Sequence, residues 1–266
     1  MALDLDGTLL DGKGTLSEDA AGILRTLTGI GVRIILASGR MTARVMPFAS
    51  QLGIPMSILA YNGAEILEGR PGHWDTVSLQ VLPDQARIAV FELCRTHRVF
   101  LNVYSEGKLY GYHADGDFSW SRHYETSSGS TYADKTDNLA ALPQTAIKVL
   151  VIDTFQNRER LSLEWSGRLS RLCDMTKSNP EYLEFLAPGV SKGTGLEIWL
   201  RRASLQAANL MAFGDAENDL EMLRLAGLGI GMANATPGLR ASYTRFSAFT
   251  NAQNGVAQEL RAHFRL

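Results

Sequence analysis

Asp4 and Asp6 stand two residues apart, directly after Met1-Ala2-Leu3 and before Gly7 and Thr8. In an extended segment, side chains two apart point the same way, so both carboxylates would approach one point at the end of a strand. Two acids that close repel, and a divalent cation removes the conflict; oxygen donors of this kind suit magnesium. Gly7 permits a sharp turn, and Thr8 adds a hydroxyl and a backbone N–H. Alone, this pattern also fits an acidic strand end followed by a turn.

Three further stretches change that balance. Ser38-Gly39-Arg40 follows an apolar run and precedes a helical segment, and a hydroxyl with free N–H groups at a helix start can hold an anion or simply cap the helix. Lys192, in Ser191-Lys192-Gly193, opens another helical segment. The helix dipole disfavours a cation there, which an anion facing it would explain. Gly214-Asp215-Ala216-Glu217-Asn218-Asp219 again places acids just past an apolar run. Glu217 and Asp219 suit a first helical turn, whereas Asp215 precedes it and is the better metal-ligand candidate.

These residues need a scaffold that brings strand ends together. Apolar runs at Val32–Ala37, Ser57–Ala60, Ala208–Phe213 and Leu228–Met232 read as buried strands. Helical segments lie at about Glu18–Ile30, Thr42–Leu52, Gly193–Arg202 and Glu217–Ala226, with Ser17 as N-cap and Gly31 as stop for the first. This alternation argues for a parallel sheet covered on both faces, with ligands at the carboxyl ends of its strands. Only three residues precede Asp4, so the first strand is shorter than the usual five or six.

The middle third has a different rhythm of helix, strands, helix, strands. Phe100–Tyr104 and Lys108–His113 suggest a hairpin, Lys148–Asp153 and Tyr182–Leu186 are further strands, and Ser127–Asn138 reads as a loop. The expected division is a core of residues 1–80 and 188–266 with an inserted α+β domain at 81–187.

With 26 basic and 28 acidic side chains and a net charge of −2, nothing draws the chain to nucleic acid or anionic membranes. No run of about 18 apolar residues exists, and no basic, apolar leader is visible. Cys94 and Cys173 fit buried free thiols rather than a disulfide framework. The expectation is a cytoplasmic protein, monomeric or weakly homo-oligomeric. His97, His113 and His123 show no metal-ligand spacing.

In this order the four stretches resemble the motifs of the haloacid dehalogenase-like hydrolases, and within them the Cof-type phosphatases with a type IIB cap. Tyr61-Asn62-Gly63-Ala64, Tyr182-Leu183-Glu184-Phe185, Gly231-Met232-Ala233-Asn234-Ala235 and Asn254-Gly255-Val256-Ala257 are smaller matches. The resemblance covers almost the whole chain. It implies a Rossmann-like α/β core, its parallel sheet flanked by helices, plus an inserted α+β cap that excludes water.

It also implies roles. Asp4 would be the nucleophile and Asp6 the general acid and base. Asp4, the backbone carbonyl of Asp6 and Asp215 would hold Mg2+, with Asp219 near the metal or Lys192. Ser38, Gly39 and Lys192 would bind the transferring phosphate, with Asn218 close by. Asn62 and Arg40 are candidates for substrate contact or site support. The implied reaction is hydrolysis of small phosphorylated metabolites, sugar phosphates or nucleotide-like cofactors, through an aspartyl-phosphate. A phosphomutase or phosphotransferase of the same superfamily is the alternative, and a non-catalytic phosphate-binding module a more distant one, since binding alone does not need Asp6. Among the inserted region's aromatics, Tyr104, Tyr110, Tyr112, Trp120 and Tyr124 serve packing or face the substrate.

Overall fold

The computed structural model describes the backbone of residues 1–266 and the side chains of all but Ser178. The chain forms two compact units, Met1–Ser78 with Ser191–Leu266, and Leu79–Val190. The first begins with strand β1 (Ala2–Leu3), helix α1 (Glu18–Gly29), β2 (Ile35–Ala37), α2 (Thr42–Leu52), β3 (Met56–Ala60), β4 (Glu65–Arg70) and β5 (His73–Leu79). Ser17 caps α1 by accepting the Ala20 N–H at 3.1 Å. The second unit follows with α3 (Asp84–His97), β6 (Phe100–Ser105), β7 (Lys108–Tyr112), α4 (Ser119–Ser128), β8 (Asp134–Thr136), β9 (Lys148–Ile152), α5 (Phe155–Leu169), β10 (Asp174–Asn179) and β11 (Tyr182–Leu186). The chain then returns to the first unit with α6 (Lys192–Arg202), β12 (Met211–Gly214), α7 (Leu220–Leu225), β13 (Leu228–Gly231), α8 (Pro237–Ser242) and α9 (Gly255–Phe264).

The first unit's sheet runs β13-β12-β1-β2-β3-β4-β5. β13, β12, β1, β2 and β3 are mutually parallel, and β4 is antiparallel to β3. Ala2 and Leu3 pair with Ala212 and Phe213 on one side and Ile35 and Leu36 on the other. All six side chains are fully buried, as expected for a central parallel sheet covered on both faces. On one face Ala2, Ile35, Ala37, Leu59 and Ala212 share a core with Leu196 and Trp199 of α6, Met222 and Leu223 of α7 and Leu239 of α8.

The second unit's sheet runs β10-β11-β9-β6-β7-β8, antiparallel except for the parallel β7–β8 pair. Leu101, Val103, Val149, Val151, Leu183 and Phe185 alternate onto the face that packs against α3 and α5. Asn102, Tyr104, Lys148 and Glu184 occupy the alternate positions. There Lys148 Nζ donates to Glu184 Oε1 at 3.2 Å, and the Tyr104 and Tyr124 hydroxyls lie 2.5 Å apart.

Several sequence-based boundaries shift. The 127–138 segment is not all loop: Ser127 and Ser128 end α4, and β8 adds an edge strand. The strand expected over 32–37 is regular only from Ile35, and the helix expected over 217–226 opens with a 3-10 turn at Glu217–Asp219 before α7. Cys94 and Cys173 are free and buried, and burial pushes both thiols up, Cys173 to about 11. Among the described residues, no helix is long and apolar enough to cross a membrane.

Candidate active site

Asp4, Ser38 and Asp215 follow β1, β2 and β12 directly, and Asn62 comes two residues after β3, so all four lie just beyond the carboxyl ends of parallel strands. The Asp4 N–H continues the ladder by donating to the Phe213 carbonyl at 3.1 Å. The chain then leaves the sheet in a wide turn closed by two five-residue hydrogen bonds, Leu9 N–H to Asp4 O at 3.2 Å and Leu10 N–H to Leu5 O at 2.9 Å. Gly7 makes that turn possible: its φ is +76°, and a Cβ there would fall 2.2 Å from Asp215 Oδ2. The close approach puts the turn directly against Asp215, whose Oδ1 accepts from the Thr8 hydroxyl at 3.1 Å.

Lys192 organises the acids. Its side chain is fully buried at the start of α6, and Nζ donates to Asp4 Oδ1 at 2.5 Å and to Asp219 Oδ1 at 2.6 Å. Ser191 explains its own place in the motif by capping α6, accepting the Thr194 N–H at 3.1 Å. Asp219 Oδ2 accepts the N–H groups of Asp215 at 2.9 Å and Ala216 at 3.0 Å. Both Asp219 oxygens are thereby engaged, one fixing the lysine and the other the loop that carries Asp215. Gly214 allows this, because a Cβ there would lie 2.4 Å from Asp219 Cβ.

The electrostatics follow from three carboxylates around one ammonium. Asp4 is pushed well up by burial and by Asp219, against the pull of Lys192. Asp215 rises to about 6, through burial first and Asp219 second. Burial alone would lower Lys192, but Asp219 and Asp4 outweigh it and raise it. The cluster therefore carries unbalanced negative charge when ionised. Asp4 Oδ2 is buried with no hydrogen-bond partner, and one carboxylate oxygen from each of Asp4, Asp215 and Asp219 lies within 4.8 Å of the others. A hard divalent cation fits the carboxylate oxygens of Asp4 and Asp215, whereas both Asp219 oxygens are already taken. No histidine belongs to it; His97 pairs with Glu164, His123 with Glu181, and the His113 ring with the Arg98 carbonyl.

Asp6 lies apart from that cluster. Its carboxylate is gripped at both oxygens by Arg40, Nε to Oδ2 at 2.7 Å and Nη2 to Oδ1 at 2.5 Å. Ser38 is buried; its Oγ accepts the Arg40 N–H at 3.1 Å and its carbonyl accepts the Asn62 N–H at 2.9 Å. Asn218 Nδ2 donates to Asn62 Oδ1 at 2.9 Å, and a Cβ on Gly39 would come within 3.1 Å of that same oxygen. Arg40 thus touches Asp6, and Asn62 joins the Ser38 segment to the 217–219 turn. Two residues without a sequence-assigned role also reach the turn that follows Asp4. Asn234 Nδ2 donates to the Gly7 carbonyl at 2.8 Å and Asn251 Nδ2 to the Leu10 carbonyl at 2.9 Å. The only hint of the first was its place in Gly231-Met232-Ala233-Asn234-Ala235.

A family model of haloacid dehalogenase-like hydrolases matches residues 1–260, and the chain belongs to that family, in its Cof-type branch, as a phosphatase. Among its relatives is the 5-amino-6-(5-phospho-D-ribitylamino)uracil phosphatase YitU of Bacillus subtilis, 25% identical over 100% of this chain and 97% of that protein. The pyridoxal phosphate phosphatase YbhA of Escherichia coli is also 25% identical, over 99% of this chain and 97% of that protein. A haloacid dehalogenase-like hydrolase from Bacteroides thetaiotaomicron superposes with a TM-score of 0.87 at 26% identity, covering 99% of this chain and 98% of its own.

Proposed function

We propose that this protein is a magnesium-dependent phosphatase that hydrolyses small phosphorylated metabolites, sugar phosphates or nucleotide-like cofactors, through a phosphoryl group carried on Asp4. The observation that carries this reading is the buried Asp4 carboxylate, held at one oxygen by Lys192 and free of hydrogen bonds at the other, beside Asp215. Asp4, Asp215 and the Asp6 backbone carbonyl would hold magnesium. When bound, it neutralises charge on the cluster and polarises the phosphoryl oxygens. Asp219, with both oxygens engaged, acts through Lys192 and the Asp215 loop rather than as a ligand.

The chain's own groups do the rest. The Asp4 carboxylate attacks phosphorus while the bond to the ester oxygen breaks, and the Asp6 carboxyl gives that oxygen its proton. Water then attacks the same phosphorus, Asp6 takes the water's proton, and Asp4 leaves as carboxylate. Lys192 and Ser38, with backbone N–H groups of the turn, offset charge on the transferring oxygens. Arg40 fixes where the Asp6 carboxylate rests, and Asn62 and Asn218 support the phosphate side of the site. The 79–190 unit acts as the cap that selects substrate and excludes water; its polar sheet face, with Tyr104, Lys148 and Glu184, supports a selective role. The similarity to phosphatases of pyridoxal phosphate and of a ribitylaminouracil phosphate supports substrates of that size.

A panel of phosphorylated metabolites and an aryl phosphate, scored by released phosphate, tests this reading. Turnover of at least one ester is expected with magnesium, none with a chelator, and full recovery on adding the metal back. Undiminished turnover by the metal-stripped protein would refute the cation's part.

A further inference from the structure

The loop after β13 bonds to both segments that carry the acids. Met232 N–H donates to the Gly214 carbonyl at 2.9 Å, and Thr236 N–H donates to the Asp215 carbonyl at 2.9 Å. Between these two anchors, Asn234 Nδ2 reaches across to the Gly7 carbonyl at 2.8 Å. The orientation of that amide is settled by its other end, because Asn234 Oδ1 accepts the Asn251 N–H at 2.9 Å. Only the NH2 group can then face Gly7. Asn251 in turn donates from its side chain to Leu10 O at 2.9 Å, at the far end of the same turn.

Asp4 and Asp215 repel each other when both are ionised, so charge alone would push their two segments apart. We propose that Asn234 is a positioning residue that, through the Gly7 carbonyl, holds the Asp4–Asp6 turn in register with the Asp215 loop and so pre-sets the cation site. Five consecutive residues, 232–236, then grip β12, its following loop and the nucleophile turn at once, and Asn251 locks the central amide. The inference rests on reading Asp4 and Asp215 as ligands of one cation. It adds that their spacing is held by backbone-directed bonds rather than by the ion itself.

The test compares the full-length protein with Asn234→Ala and Asn234→Asp by calorimetric titration with magnesium alone. Alanine removes the donor. Aspartate keeps an acceptor for Asn251 but turns an oxygen toward the Gly7 carbonyl, so it should do more harm. The magnesium dissociation constant is expected to rise about tenfold or more, the usual effect of removing an outer partner of a metal site. Turnover of an aryl phosphate should fall at sub-saturating magnesium and recover at saturating magnesium, with KM for the ester unchanged. Asn251→Ala, which leaves its own N–H on Asn234, should shift magnesium affinity in the same direction by less. Variants that melt like the wild type and bind magnesium within about twofold of it would overturn the inference alone. A wild type that binds no magnesium would overturn the cation reading and this inference with it.

Discussion

Asp215 shows how a single buried group ties stability to pH and, on the proposed reading, to a cation. Its carboxyl rises from an ordinary 3.8 to about 6, because burial and the neighbouring Asp219 disfavour its charge. The folded protein thus holds this proton more tightly than the unfolded chain does. The stability linked to it is fully present below 3.8 and is lost as pH rises through about 6. Asp4 shifts in the same direction. A divalent cation reverses the effect at high pH but must displace protons at low pH. Added magnesium is therefore expected to raise the melting temperature by several degrees at about pH 7.5 and much less at about pH 5. Equal shifts at both pH values would remove Asp215 from the cation site. At this scale the sequence was legible where an acid stood just past a strand, as for Asp4 and Asp215. The expectation that the Asp6 carboxylate would join that of Asp4 fails, because the chain leaves β1 after Leu3 in a wide turn and Asp6 faces Arg40 instead. The engagement of Arg40 with Asp6, 34 positions earlier, was not legible, because such a pairing depends on which strand ends become neighbours. Asp219 beside Lys192 is one of the two placements the resemblance implied.

At the level of elements, the turn after Asp4 is tightly constrained. Gly7→Ala places a residue with Cβ at φ +76°, where strain costs about 1–3 kcal/mol, and drives that Cβ against the Asp215 carboxylate. Asp215 must move, and a displacement of about 1 Å in a catalytic site can cost about 10²-fold. The variant is expected to lose about that much in kcat/KM while denaturant melts show a loss of about 1–3 kcal/mol. Activity near wild type would mean that this close packing plays no part in catalysis. Strands with continuous apolar runs, such as β3 and β12, were readable from the sequence, as were helices with a clear cap, such as α1. β4, β5 and β8 were not. Glu65–Arg70, His73–Leu79 and Asp134–Thr136 alternate weakly and carry charged side chains, as suits strands near a sheet edge but gives no apolar signal.

Over the whole molecule, two sheets with two separate cores account for the change of rhythm along the chain. One is mostly parallel, and its central strands are buried on both faces and read as apolar runs. The other is mostly antiparallel, with an apolar face against α3 and α5 and a polar face, and its strands alternate. All the assigned site residues lie in the first unit, although about a hundred residues of the second separate Asn62 from Lys192 in the chain. The central claim is that Asp4 carries the phosphoryl group, and the direct measurement is to trap it. Protein quenched in acid during turnover with magnesium is reduced with borohydride, which converts an acyl phosphate to an alcohol, and its peptides are mapped by mass spectrometry. The expected result is reduction at Asp4 in the wild type and none in Asp4→Asn, which should also fail to turn over. A turning-over enzyme whose Asp4 is never modified, or an Asp4→Asn variant with near wild-type turnover, would contradict the account.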